Sequence, residues 1–140
     1  MERRNFLTRL GIGTVAACTA IPLISNGMEN TNSNKGSASL QPEQIQHMVI
    51  FDLSHEKGSA LAQKFLKDGQ QILTKIPGVQ NFQVFNQVSL KNDFTYGFSM
   101  VFAGQAAYAA YNNHPDHLAF VENRWKKEVT RFSEIDFKTI

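Results

Sequence analysis

The sequence has a single cysteine in 140 residues, so no disulfide can close within it. It has no apolar run of the ~20 residues that a spanning helix needs, and no integral membrane span is expected. An excess of charge is missing as well. Fourteen Lys and Arg face twelve Asp and Glu, a formal +2. That surplus sits at the N-terminus, where Arg3, Arg4 and Arg9 oppose Glu2, and the chain beyond holds 11 residues of each sign. A basic field is therefore absent from the part that folds, and nucleic acid is not an expected partner. What is present is 42% hydrophobic and 19% charged residues, an ordinary globular balance for one domain.

Residues 1–24 have the layout of an export signal: a basic start, then small and apolar residues from Leu10 to Ile24. Arg3-Arg4 followed by Phe6-Leu7 is twin-arginine-like, with Glu2 before the pair and Thr8 after it as departures. Gly11 and Gly13 keep the apolar stretch weakly hydrophobic. Val15-Ala16-Ala17-Cys18 resembles a bacterial lipobox, which would put a lipid anchor on Cys18. The other reading is an incidental cysteine in a small-residue run. The expected location is accordingly exported, either periplasmic or membrane-anchored as a lipoprotein. Residues 25–43 are rich in Asn, Ser, Gly and Glu and cannot bury enough surface to offset their ordering entropy, so they read as a linker.

The folded unit is expected over residues 44–140. Gln46 to Leu53 alternates with the two-residue period of a strand, with His47, Val49, Phe51 and Leu53 on one face. From His55 to about Lys75 the period becomes helical, with Leu61, Phe65, Ile72 and Ile76 near one side. Pro77-Gly78 turns the chain. A strand follows to about Ser89, carrying Phe82, Val84 and Val88 on one face. The next strand sets Phe94, Tyr96, Phe98, Met100 and Phe102 against a small face of Gly97, Ser99 and Val101. An alanine-rich helix runs to about Tyr111, and Pro115 starts another whose apolar stripe is Leu118, Val121, Trp125 and Val129. Phe132 to Phe137 closes as a fourth strand. This order is α+β, a ferredoxin-like split βαβ with a four-stranded antiparallel sheet. Helices cover one face of such a sheet, and a bare apolar face signals association. A homodimer follows, with the Tyr96, Phe98, Met100 and Phe102 face expected between two sheets.

Gln46-His47-Met48-Val49-Ile50-Phe51, Ile76-Pro77-Gly78-Val79 and Tyr111-Asn112-Asn113-His114-Pro115-Asp116-His117 together resemble the stress-responsive A/B barrel (Dabb) family of the dimeric α/β-barrel superfamily. The resemblance covers roughly residues 45–138 and implies two subunits forming a barrel between them. Some of its members are polyketide cyclases that act without a cofactor. By position it implies Tyr111 and His117 as a catalytic pair, with His47 as a further pocket residue. An imidazole can remove a proton held between two carbonyls, and a phenol can stabilise the enolate that results. Val49, Phe51, Phe98, Met100 and His114 are expected beside His47 as ligand-binding residues of the barrel cavity. Phe98 stands where the cyclases place a polar residue, and Phe82, Met100 and Phe102 crowd the same interior, so a long polyketide is not expected.

Each residue also has a plainer reading. His114 can cap the helix that begins at Pro115. His117 can be a half-buried histidine bonded to a backbone carbonyl, Tyr111 a core tyrosine, and His47 a solvent-facing strand residue. Asp136, opposite in face to Ile135 and Phe137, either meets solvent or orients a histidine. His114 and His117 are three residues apart, a spacing that can hold zinc or copper. Only Asp116 and His47 could complete the set, and no metal or cofactor is expected. The expected function is an exported dimer binding a small apolar ligand. The alternatives are a cofactor-independent cyclase or lyase and a monooxygenase-like member of the wider superfamily. Intact-mass measurement on protein from its native host should find residues 1–24 removed, or lipid at Cys18. A full-length soluble product would overturn the export reading.

Overall fold

The computed structural model describes residues 39–140. The expected export signal, Cys18 and the linker as far as residue 38 lie outside the described residues. Four strands form one antiparallel sheet: β1 (Ile45–Leu53), β2 (Gln80–Asn86), β3 (Tyr96–Phe102) and β4 (Val129–Phe137), in the spatial order β2-β3-β1-β4. α1 (Ala60–Leu73) links β1 to β2, and α2 (Gln105–Asn112) follows β3. Then α3 (Pro115–Phe120), a π-helical turn (Val121–Trp125) and α4 (Lys126–Glu128) run on from one another into β4. This is the ferredoxin-like order expected from the sequence. Among the described residues no helix is long and apolar enough to cross a membrane.

Register decides what faces the helices. Phe51 lies between Tyr96 and Phe132, Val49 between Phe98 and Glu134, and His47 between Met100 and Asp136. Cross-strand partners share a face, so these three rows form the helix-covered side. Tyr96, Phe98, Met100 and Phe102 are 0–1% exposed within the single chain. The ring of Phe98 meets those of Phe51, Phe82 and Trp125 at centroid distances of 4.9, 5.2 and 6.4 Å. The expected placement of this face between two sheets is therefore corrected. The bulky residues of β3 are what the helices pack on, and the small face of Gly97 and Ser99 lies on the open side.

A bulge makes β2 fit the same scheme. Gln80 opposes Val101 and Gln83 opposes Ser99, so the bulged strand has one more residue than its partner. Asn81 takes a left-handed φ of 47° there, which Asn tolerates better than most residues. The extra residue lets Phe82 and Val84 pack on the core while both glutamines face outward. Beyond Asn86 the chain leaves the sheet, and Val88 is exposed rather than aligned with them.

α1 begins later than the hydrophobic period implied. The Ser59 hydroxyl accepts from the Ala62 amide and caps its first turn. Its buried face is Ala62, Phe65, Leu66, Gly69 and Leu73, and Leu61 is exposed. Ala62 and Gly69, the small residues, supply the contact that an apolar-residue count misses. A Cβ on Gly69 would stand 2.9 Å from Phe98 Cζ and 3.2 Å from Phe120 Cζ. In α3, likewise, Phe120 is the buried residue and Leu118 is exposed.

Ion pairs fix the π-helical turn against its neighbours. Arg124 pairs with Asp68 of α1 and with Glu128, and Glu128 meets His55 Nε2 at 2.7 Å. Hydrogen bonds from Lys64 and Arg124 hold the Asp68 carboxyl below its usual range. The guanidinium also lies 5.5 Å over the Phe65 ring.

Gly69→Ala tests the close approach of α1 to the sheet. The change gains about 1 kcal/mol of helix propensity. Placing a methyl between two buried rings costs about 1–3 kcal/mol, and a lower melting temperature is expected. A melting temperature equal to or above that of the parent would contradict the packing described.

Candidate functional site

Between the helix-covered face of the sheet and the helices lies a cavity of about 340 Å³. Its floor is His47 and Val49 of β1, Phe98 and Met100 of β3, and Phe132 and Glu134 of β4. Its walls are Leu73, Tyr111, His117 and Phe120, with Val121, Trp125 and Lys126 from the π-helical turn and its continuation. The strand residues of this lining are on the helix-covered face, so the cavity lies between sheet and helices and not between two sheets as expected. The difference has the same cause as the inverted face of β3.

Of the expected site residues, His47, Val49, Phe98, Met100, Tyr111 and His117 line this cavity. Phe51 and His114 do not. Phe51 is fully buried beneath the cavity's aromatic end, against Phe65, Phe98 and Trp125. His114 is the N-cap of α3, its Nδ1 accepting from the Asp116 amide at 3.2 Å. A ring that caps a helix is held at the helix end and away from the cavity. Phe82 and Phe102, expected to crowd the interior, pack in the core and leave the space open.

His47 is 5% exposed, not solvent-facing. Its Nδ1 lies 2.7 Å from Asp136 Oδ1 and 3.0 Å from the Tyr108 hydroxyl, which donates to Asp136 Oδ2 at 3.2 Å. A carboxylate only accepts, so Nδ1 carries a hydrogen, and in the neutral ring Nε2 is the lone pair. Asp136 thus orients a histidine, the second of its two readings. The Tyr108 phenol is pushed up to about 12 by burial and by the Asp136 charge, which keeps its proton in place.

The second histidine repeats the arrangement with a different partner. His117 Nδ1 donates to the Asn112 carbonyl at 3.2 Å, as the plainer reading of this residue supposed. Its ring also lies 4.3 Å from that of Tyr111 and lines the cavity. Burial pushes the His117 imidazole below its ordinary value of 6.5 against the opposing effect of the carbonyl bond. The neutral form, with Nε2 unprotonated, is favoured.

Tyr111 is 2% exposed, and its hydroxyl has no hydrogen-bond partner among the described residues. No buried side-chain nitrogen or oxygen among the described residues lacks a partner, so this hydroxyl meets the open space of the cavity. Burial, foremost, and the neighbouring Tyr108 and Glu134 raise the phenol's pKa and keep it protonated. No group of three His, Cys, Asp or Glu side chains among the described residues stands close enough to hold a metal.

Sequence reasoning missed Tyr108, Glu134 and Lys126. Tyr108 had a signal: it is the other tyrosine of the alanine-rich α2, one helical turn before Tyr111. Glu134 had one as well, since strand alternation puts it on the face of Asp136. Lys126 reaches the cavity through the π-helical turn, which no periodic pattern announced.

A ferredoxin-like subunit with a single-chain cavity and two oriented histidines is the class these features define. Residues 45–139 match the Stress responsive A/B Barrel Domain, and the chain belongs to that family. A Dabb family protein from Mesorhizobium loti is 48% identical in its solved structure, with a TM-score of 0.68 over 69% of this chain and 97% of that one. A dimeric protein of unknown function from Bacteroides fragilis is 15% identical, with a TM-score of 0.57 over 72% of this chain and 100% of that one. A hydroxynitrile lyase from Passiflora edulis is 12% identical, with a TM-score of 0.62 over 71% of this chain and 96% of that one. The last two likenesses concern the fold alone. No curated protein matches the chain in sequence.

Proposed function

We propose that this chain is an exported, homodimeric A/B barrel module that holds a small, mostly apolar molecule in the cavity of each subunit. The observation that carries the reading is the cavity itself, about 340 Å³ and lined largely by apolar side chains with a few polar groups at one end. That balance is typical of small-molecule sites. Export rests on the Arg3-Arg4 pattern. Dimerisation is supported by the open side of the sheet, where Phe85, Ile135 and Phe137 are 38–50% exposed beside Met48, Ile50 and Val101. The Bacteroides fragilis protein of the same fold is a dimer.

A second reading is acid–base catalysis without a cofactor, in the manner of a lyase or cyclase. What favours it is the pairing of His47 with Asp136 and of His117 with the Asn112 carbonyl, each leaving Nε2 as the lone pair of the neutral ring beside a protonated phenol. A base and a hydrogen-bond donor on one cavity are the minimum for proton abstraction next to a carbonyl.

The neutral dye N-phenyl-1-naphthylamine should gain fluorescence with the parent protein. It should not do so with Val121→Trp, which fills the cavity, while that variant still unfolds cooperatively. In sedimentation at micromolar concentration the parent should be a dimer and Ile135→Asp a monomer. Absence of any dye signal with the parent would end the cavity-binding reading, and a monomeric parent would end the dimer.

A further inference from the structure

The cavity has two chemically different ends. β1 places His47 and Phe51 four residues apart, about 13 Å along a strand. At the Phe51 end stand Trp125 and Phe132, whose rings meet edge to face at 5.6 Å. At the His47 end stand Tyr111, its ring centroid 6.5 Å from that of His47, and His117, whose ring lies 4.3 Å from that of Tyr111. Glu134 lies in the row between, opposite Val49.

The hydrogen-bonding inventory of the polar end is one-sided. In their neutral rings His47 Nε2 and His117 Nε2 are acceptors, because Asp136 and the Asn112 carbonyl each fix the hydrogen on Nδ1. Glu134 adds a carboxylate that has neither a salt bridge nor a side-chain hydrogen bond among the described residues, and it lines the same space. Against these acceptors stands one donor, the Tyr111 hydroxyl, which meets the cavity and has no partner among the described residues. Among the described residues Lys126 is the one Lys or Arg in the lining, and its ammonium is paired to Glu122 with the side chain 61% exposed.

We propose that the ligand's polar end is a neutral hydroxyl, phenolic or alcoholic, which donates to a histidine Nε2 and accepts from Tyr111, and that the cavity discriminates against carboxylates. The proposal rests on the cavity-binding reading and narrows it to a chemical class. A carboxylate has no hydrogen to give and would bring a negative charge beside Glu134 and two lone pairs. An ammonium could satisfy the acceptors, but it has no lone pair for Tyr111 and would leave that hydroxyl unpaired once the ligand displaces water from the cavity. A hydroxyl does both. The elevated phenol of Tyr111 and the depressed imidazole of His117 hold both groups in the protonation states this scheme uses.

Trp125 is the chain's only tryptophan and lines the cavity, so its emission reports occupancy directly. Full-length protein should be titrated at pH 7.5 with 4-butylphenol, butylbenzene, 4-butylbenzoate and 4-butylbenzylamine, which share one apolar body. The phenol should bind tightest, with the benzoate weaker by about tenfold or more, equivalent to about 1.4 kcal/mol. Tyr111→Phe should reduce the preference of the phenol over butylbenzene while leaving butylbenzene bound. Equal or tighter binding of the benzoate or the amine would overturn the hydroxyl assignment and leave the cavity-binding reading standing. If none of the four, butylbenzene included, perturbs Trp125, the cavity-binding reading fails and the assignment fails with it.

Discussion

One side of β1 has to serve two purposes, and the rest of the molecule is arranged around that constraint. Strand alternation puts His47 in the same row as Ile45, Val49 and Phe51, all of which are buried. An imidazole in such a row is costly unless its nitrogens find partners. Asp136, directly across on β4, supplies one, and Tyr108 of α2 supports both. The other nitrogen is left to the cavity. The polar end of the site is thus a consequence of placing a histidine in a core row and satisfying only half of it from within.

Two sets of contacts fix where the helices lie over the sheet. Gly69 lets α1 touch the Phe98 and Phe120 rings. Farther along, Arg124 ties the π-helical turn to α1 through Asp68 and to Glu128, which in turn holds His55. A π-helical turn carries an extra residue relative to an α-helical one, and such turns recur at functional sites. Here it brings Val121, Trp125 and Lys126 to the cavity wall. Close packing at one place and a clamp at another leave an opening between them.

Much of this was legible in the sequence. Period-two alternation identified β1 and β3 and which residues share their faces, and the element order gave the ferredoxin-like arrangement. The family resemblance carried by the Tyr111 to His117 segment pointed to two of the cavity's polar residues. Three things were not legible. Which face of β3 meets the helices was read wrongly, because bulk alone does not say whether a helix or a second sheet covers it. Leu61 and Leu118 were read as core, whereas Ala62, Gly69 and Phe120 make the contact. Small residues at helix crossings leave no mark on a hydrophobicity pattern. The π-helical turn and the Tyr108–Asp136–His47 contacts depend on register between elements far apart in the chain, which local periodicity does not encode.

The central claim is that both cavity histidines, when neutral, carry their hydrogen on Nδ1 and present Nε2 as an acceptor. Long-range proton–nitrogen correlation on uniformly labelled protein reads imidazole tautomers directly. At about pH 8.5, two units above the ordinary imidazole value of ~6.5, neutral forms dominate for unperturbed rings. His47 and His117 should both show a protonated Nδ1 and an unprotonated Nε2. Asp136→Ala should loosen that preference for His47 and leave His117 unchanged. A protonated Nε2 on His47 in the parent protein would contradict the account.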